Sequence, residues 1–191
     1  MKSLPFIYTT CNNSFATYIE QLYNIGKKSI LKEVLKVQEN ILNIIDIYKE
    51  IFDTEYYKLY KGDDATHLLY EGYCFYFAKL LYDTFPESIM CKNPSGDHYF
   101  VKIYDDYYDA RDNYDENGKR CPIKKDNCGN IKDLDGTFIK PIEILNVLDE
   151  EVSCNQFGSV KDPFKDMVWE KISSALYTKR DELMKTDNLK M

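Results

Sequence analysis

A cysteine at the head of an amphipathic stretch is the first feature of this sequence with chemical consequence. In Glu71-Gly72-Tyr73-Cys74 and the FYFAKLLYDTF that follows, Phe77, Ala78, Leu81 and Phe85 share one side of a helix running from about Tyr73 to Phe85 and closed by Pro86. A thiol at a helix N-terminus lies near the positive end of the macrodipole, which favours the thiolate, the nucleophilic form. The first N–H groups of a helix have no intrahelical acceptor, so they are available to an oxyanion formed on an attacked carbonyl. Gly72 permits close approach of a substrate backbone, and Tyr73 flanks the thiol; both are candidate substrate-binding residues.

A base and its orienting group follow. His98 opens HYFVKIYDDYYDA, in which Tyr99, Val101 and Ile103 alternate with His98, Phe100 and Lys102 at strand period. The chain then reverses near Tyr104-Asp105-Asp106 and returns through Tyr107, Tyr108 and Asp109. With a two-residue turn at Tyr104-Asp105, Asp109 lies opposite Phe100 and diagonal to His98, within reach of paired side chains. With the turn at Asp105-Asp106, Asp109 faces Lys102 and sits roughly 13 Å from His98 by strand rise. Neither option carries the Gly that primed turns prefer, so turn chemistry leaves both registers open.

Gly-x-Cys opening a helix, then His on one strand and Asp at the end of the next, resembles the transglutaminase-like branch of the papain-like cysteine enzymes. The resemblance rests on Gly72 to Asp109. It implies a catalytic triad in which Cys74 is the nucleophile, His98 the general base and acid, and Asp109 the carboxylate that orients the imidazole. It also implies a cysteine hydrolase or acyl-transfer enzyme (peptidase, deamidase or transglutaminase-like) that acts on an amide, isopeptide or thioester bond of a protein or peptide substrate without a cofactor. Phe100 stands where a Trp is frequent near the His of that family, and no upstream Gln or Asn is assignable as a second oxyanion donor.

These residues need a scaffold, and the hydrophobic pattern supplies an α+β one. N-terminal helices precede the Cys-bearing helix, which packs on a small antiparallel sheet, and a C-terminal helix closes the chain. Phe15, Tyr18, Ile19, Leu22 and Ile25 predict a first helix stopped at Gly26. From Ser29 to Phe52, Val34, Val37, Ile41, Ile44, Tyr48 and Ile51 form one stripe and Leu31, Leu35, Leu42, Ile45 and Phe52 a second beside it, either a core-packing face or the seam of a homodimer through residues 29–52. Lys61-Gly62-Asp63-Asp64 breaks that pattern. Ser88 to Cys91 and His98 to Tyr104 read as strands joined by a turn at Asn93-Pro94-Ser95-Gly96. Arg111 to Gly136 reads as a long functional or mobile surface loop without an internal repeat. Pro141 predicts a helix to about Glu150, and Asp162-Pro163 caps a final helix lined by Phe164, Met167, Val168, Ile172, Leu176 and Leu183. The chain thus divides as a single domain, 1–191, into a helical extension (13–61), a catalytic core (62–150) and a C-terminal helix (151–191).

Composition bounds the rest. Hydrophobic residues at 44% and charged residues at 30% are values of a globular chain. A net charge of −7 argues against a nucleic-acid surface, which concentrates Lys and Arg. No run of eighteen apolar residues and no signal-type leader is present, so the expectation is no membrane segment, a cytoplasmic location and reduced cysteines. Cys121 and Cys128 are spaced too widely for a zinc knuckle, with Cys91 and Cys154 scattered. Asn113-x-Asp115-x-Asn117-Gly118 opens like a calcium loop, but Lys124 stands where a bidentate Glu belongs, so no metal is expected. A protein-binding module or an inhibitor of a host protein, keeping the architecture without the chemistry and using its 17 Tyr as contact surface, is the alternative.

Overall fold

The computed structural model describes residues 12–61, 65–150 and 163–185. They form an α+β structure with a long N-terminal helix, a small antiparallel sheet and a C-terminal helix. Gly62, Asp63, Asp64, Cys11, Cys154 and Asp162 lie outside the described residues, as do the side chains of Phe15 to Ile25 and of Phe164.

Helix α1 spans Asn12–Tyr60 without interruption, so Gly26 does not stop it. One glycine costs a helix interior only about 1 kcal/mol, and no proline follows to remove a hydrogen bond. The described residues fall into two units, divided between Asn40 and Ile41. In the first, Ile30, Leu31, Val34 and Leu35 are exposed. In the second, Ile41, Ile44, Ile45, Tyr48 and Phe52 are buried, so this part of the stripe belongs to the chain's own core and is closed to a homodimer seam.

Within the second unit, α2 (Leu68–Glu71) leads into α3 (Cys74–Thr84). Phe75, Phe77, Ala78, Leu80 and Leu81 of α3 are buried, and α3 packs on strands β1 (Ser88–Lys92) and β2 (Tyr99–Ile103). Tyr48 joins this packing through its hydroxyl, 2.9 Å from Thr84 Oγ1. Helix α4 (Pro163–Lys185) buries Val168, Trp169, Ile172 and Leu176, whereas Met167 is exposed.

The sheet order is β3-β2-β1-β6, with β3 at Asp106–Tyr108 and β6 at Ile142–Glu143; β4 (Ile131–Lys132) and β5 (Phe138–Ile139) form a separate hairpin. Pro141 therefore introduces an edge strand, with Cys91 paired to Glu143, and helix appears only at 147–150. A residue with φ fixed near −65° and no N–H suits an edge position as well as a first helical turn.

The segment 111–136 is anchored, not loose. Ile123 and Ile131 are buried against Cys91, Phe100 and Tyr107, and the Ile123 N–H donates to the Tyr107 carbonyl at 2.8 Å. It also contains the repeat that the sequence pattern hid: Asp115, Asp126 and Asp133 each begin a tight turn ending in Gly118, Gly129 and Gly136 at φ +75°, +81° and +88°. In each, the glycine N–H donates to the aspartate carbonyl, and the aspartate N–H donates to the carbonyl one residue beyond the glycine. The three share only Asp-x-x-Gly; the intervening residues differ and the spacing is uneven, 11 and then 7 residues, so the likeness is clearest in the geometry.

Candidate active site

The three residues singled out for chemistry come from three elements and converge. Cys74 is the first residue of α3, preceded by Tyr73 as N-cap, which supplies no side-chain hydrogen bond to the helix end. The thiol is half-buried, in contrast to Cys91, whose burial in the core pushes its pKa up to about 12. Tyr73, expected as a substrate-binding residue, has a buried side chain stacked near Trp169 and tilted against Phe52. Gly72 is the C-cap of α2, its N–H donating to the Leu68 carbonyl at 2.9 Å. It forms the corner between α2 and the thiol.

The β2–β3 hairpin brings the ring and the carboxylate together. Its register pairs Ile103 with Asp106 and Val101 with Tyr108, so the turn is Tyr104-Asp105 and the open question of register is closed. His98 Nε2 lies 2.9 Å from Asp109 Oδ2, and both side chains are buried. The carboxylate is shared: the Arg111 backbone N–H donates to Oδ1 at 3.0 Å, and Arg111 Nε donates to Oδ2 at 2.5 Å. Burial alone would push the Asp109 carboxyl up. The hydrogen bond from His98 and the charge of Arg111 outweigh burial and hold it below the ordinary range.

The same competition acts on the imidazole. Burial would push His98 down, but the hydrogen bond and charge of Asp109, with the nearby Cys74 sulfur adding to them, raise it to about 9. Cys74 reaches the residue next to the ring, the carbonyl of Asp97. Because Nε2 is committed to Asp109, Nδ1 is the atom left for the thiol; it is buried and makes no hydrogen bond among the described residues. The thiol instead donates a long bond, 3.7 Å, to the carbonyl of Asp97. His67, the other histidine, is exposed next to α2.

Side chains that the sequence pattern left unmarked surround this group. Asn93 is buried, and its Oδ1 accepts the backbone N–H groups of Gly96, Asp97 and His98 at 3.0, 3.1 and 3.2 Å. Its Nδ2 donates to Asp97 Oδ1 at 2.7 Å and to Asp133 Oδ2 at 3.0 Å. Hydrogen bonds from Asn93 and Ser95 hold the Asp97 carboxyl below its usual range. The turn expected at Asn93-Pro94-Ser95-Gly96 is present, with the Gly96 N–H on the Asn93 carbonyl at 3.0 Å; the reach of the Asn93 amide to Asp133 is what the sequence pattern does not show. The calcium-like run is a turn as well, since Asp115 Oδ1 accepts the N–H groups of Asn117 and Lys119.

Among the described residues no helix is long and apolar enough to cross a membrane. No family model, curated protein or solved structure matches the chain.

Proposed function

We propose that this chain is a cysteine hydrolase or acyl-transfer enzyme with a papain-like core, acting on an amide, isopeptide or thioester bond of a protein or peptide substrate. The observation that carries the reading is the buried 2.9 Å bond between His98 Nε2 and Asp109 Oδ2 beside a half-buried thiol at a helix N-terminus. Asp109 fixes the tautomer and leaves Nδ1 for Cys74.

In the proposed cycle, Cys74 turns its S–H from the Asp97 carbonyl to Nδ1 of the neutral imidazole and gives up its proton, and the imidazolium that forms is the state favoured by a His98 raised to about 9. The sulfur attacks the carbonyl carbon, and the electron pair of the C=O bond moves to oxygen, which the first N–H groups of α3 receive. The tetrahedral species collapses with loss of the leaving amine, or thiol for a thioester. The His98 imidazolium protonates that group, and a thioester on Cys74 remains. Water or an acceptor amine then attacks, His98 takes its proton, and the thiolate leaves. Proteolysis, deamidation and transglutamination differ only in which groups fill the acyl and acceptor sites.

The test is limiting alkylation with iodoacetamide at neutral pH, with the modified cysteine mapped. Cys74 reacts first among the six and slows by about a hundredfold in His98→Ala, the lower range of general-base assistance. Uniform labelling, or faster reaction at Cys121 and Cys128, rejects the reading.

A second reading draws on one observation, the absence of a hydrogen bond at His98 Nδ1 while the thiol faces Asp97. A protein-binding module that retains this site without using it would keep that arrangement. Cys74 would then alkylate at the same rate with and without His98.

A further inference from the structure

The third Asp-x-x-Gly turn departs from the first two, and the departure points at the imidazole. In the first, Asp115 Oδ1 accepts N–H groups two and four residues on. In the second, Asp126 Oδ1 does the same for Cys128 and Asn130, and its Oδ2 accepts from Asn130 Nδ2. In the third, the inner capping passes to Asp135, whose Oδ1 accepts both the N–H and the hydroxyl of Thr137, at 2.9 and 2.7 Å. Asp133 keeps only the N–H of Leu134 on Oδ1, and its Oδ2 is released to reach Asn93.

That contact completes Asn93. Both Nδ2 hydrogens are then used, on Asp97 and Asp133, while Oδ1 holds three successive N–H groups ending at His98. The neighbouring residue works on the other side of the ring: Arg111 Nη2 donates to the Lys132 carbonyl at 3.3 Å, while Arg111 Nε holds Asp109. Lys132 and Asp133, consecutive in the β4–β5 hairpin, therefore reach both the loop that presents His98 and the carboxylate that orients it.

We propose that Asp133 is a positioning residue for His98, acting through Asn93, and that the β4–β5 hairpin is the outer clamp of the Cys74-His98-Asp109 site. The catalytic part of this assignment rests on the proposed function; the geometric part does not. An amide that donates to two carboxylates and accepts from three N–H groups has no freedom to rotate. Removal of Asp133 gives it that freedom, and the backbone of residues 96–98 loses its fixed acceptor.

The test uses the full chain and its two histidines, whose imidazole signals are resolved by NMR with His67 as internal reference. Asp133→Ala shifts the signals and titration of His98 but not those of His67, and it slows iodoacetamide capture of Cys74 by about tenfold, the order expected for one lost hydrogen bond. Asp133→Asn, which retains an acceptor for Asn93, restores both. Asp115→Ala, which damages the first of the three turns, the one that adjoins neither β4 nor the β2–β3 hairpin turn, changes neither. Should Asp133→Ala not fold, Asp133→Ser serves, being too short to reach Asn93. A folded Asp133 variant with wild-type His98 signals overturns the assignment. Wild-type alkylation that ignores His98→Ala overturns the proposed function instead, and the NMR comparison still judges the clamp.

Discussion

His98 Nε2 and Asp109 Oδ2 meet at 2.9 Å because the hairpin between them turns at Tyr104 and Asp105, not one residue later. The hydrophobic pattern does not make this choice. Moving the turn by one residue shifts each pairing by two positions, so the same side chains stay on the same faces. The choice falls to polar contacts and one strained residue. Lys125 Nζ donates to the Asp105 carbonyl at 2.5 Å and pairs with the Asp106 carboxylate at 2.7 Å, pinning the turn from outside. Tyr104 accepts φ +55°, a region costly for a residue with a Cβ.

The strain at Tyr104 is testable by itself. Its side chain is exposed, so replacement removes little packing. Tyr104→Gly relieves a left-handed conformation worth about 1–2 kcal/mol, offset by about 0.5–1 kcal/mol of added unfolded-chain entropy. The expected outcome is a small rise in Tm, by about 2 °C, with Cys74 alkylation unchanged. A fall in Tm on thermal melting would show that the Tyr104 ring, not its backbone, holds the turn.

Elements with a local period were legible in the sequence and the rest of the site was not. Phe77, Ala78, Leu81 and Phe85 announced α3, and the alternation around Val101 announced β2, because each pattern repeats within a few residues. Cys74, His98 and Asp109 were singled out from their places beside those elements, but the register that joins the last two was not legible and is seen only in the structure. Asn93 to Asp133 is a hydrogen bond across 40 positions, and it imposes no periodicity on the residues between. The Asp-x-x-Gly turns escaped because their backbone bonds constrain only two residues of each. Gly26 and Pro141 misled because local preferences of about 1 kcal/mol yield to neighbours: the helix on both sides of Gly26, and pairing with β1 beside Pro141.

Asp109→Asn separates the two roles of the carboxylate. The amide keeps the size of the group but removes the charge that supports both the His98 imidazolium and Arg111. His98 then falls from about 9 toward the ordinary imidazole range, read directly by NMR titration. Capture of Cys74 at neutral pH slows by about a hundredfold, since an amide does not stabilise the imidazolium or enforce the tautomer. Because one partner of a buried pair is lost, stability drops by about 3 kcal/mol, measured by urea unfolding. An unchanged His98 titration would remove Asp109 from any electrostatic role.

The same two groups set opposite limbs of the stability profile. The folded pKa of His98 is raised to about 9, so its contribution is fully present below the unfolded value of about 6.5 and is lost as pH rises from there to about 9. The folded pKa of Asp109 is lowered, so its contribution is present above the unfolded value of about 3.9 and is lost as pH falls through the folded one. Cys91 and Tyr48 act in a different window. Burial raises both to about 12, so they destabilise the fold only once the unfolded thiol and phenol begin to ionise, above about 8.5 and 10 respectively. Urea unfolding at a series of pH values should therefore show stability declining already between pH 6.5 and 8.5, before any buried thiol or phenol ionises in the unfolded chain. In His98→Gln that decline flattens, while the steeper loss at higher pH remains. If wild type and His98→Gln run parallel from pH 6 to 9, the imidazole does not gain a proton-stabilising partner on folding.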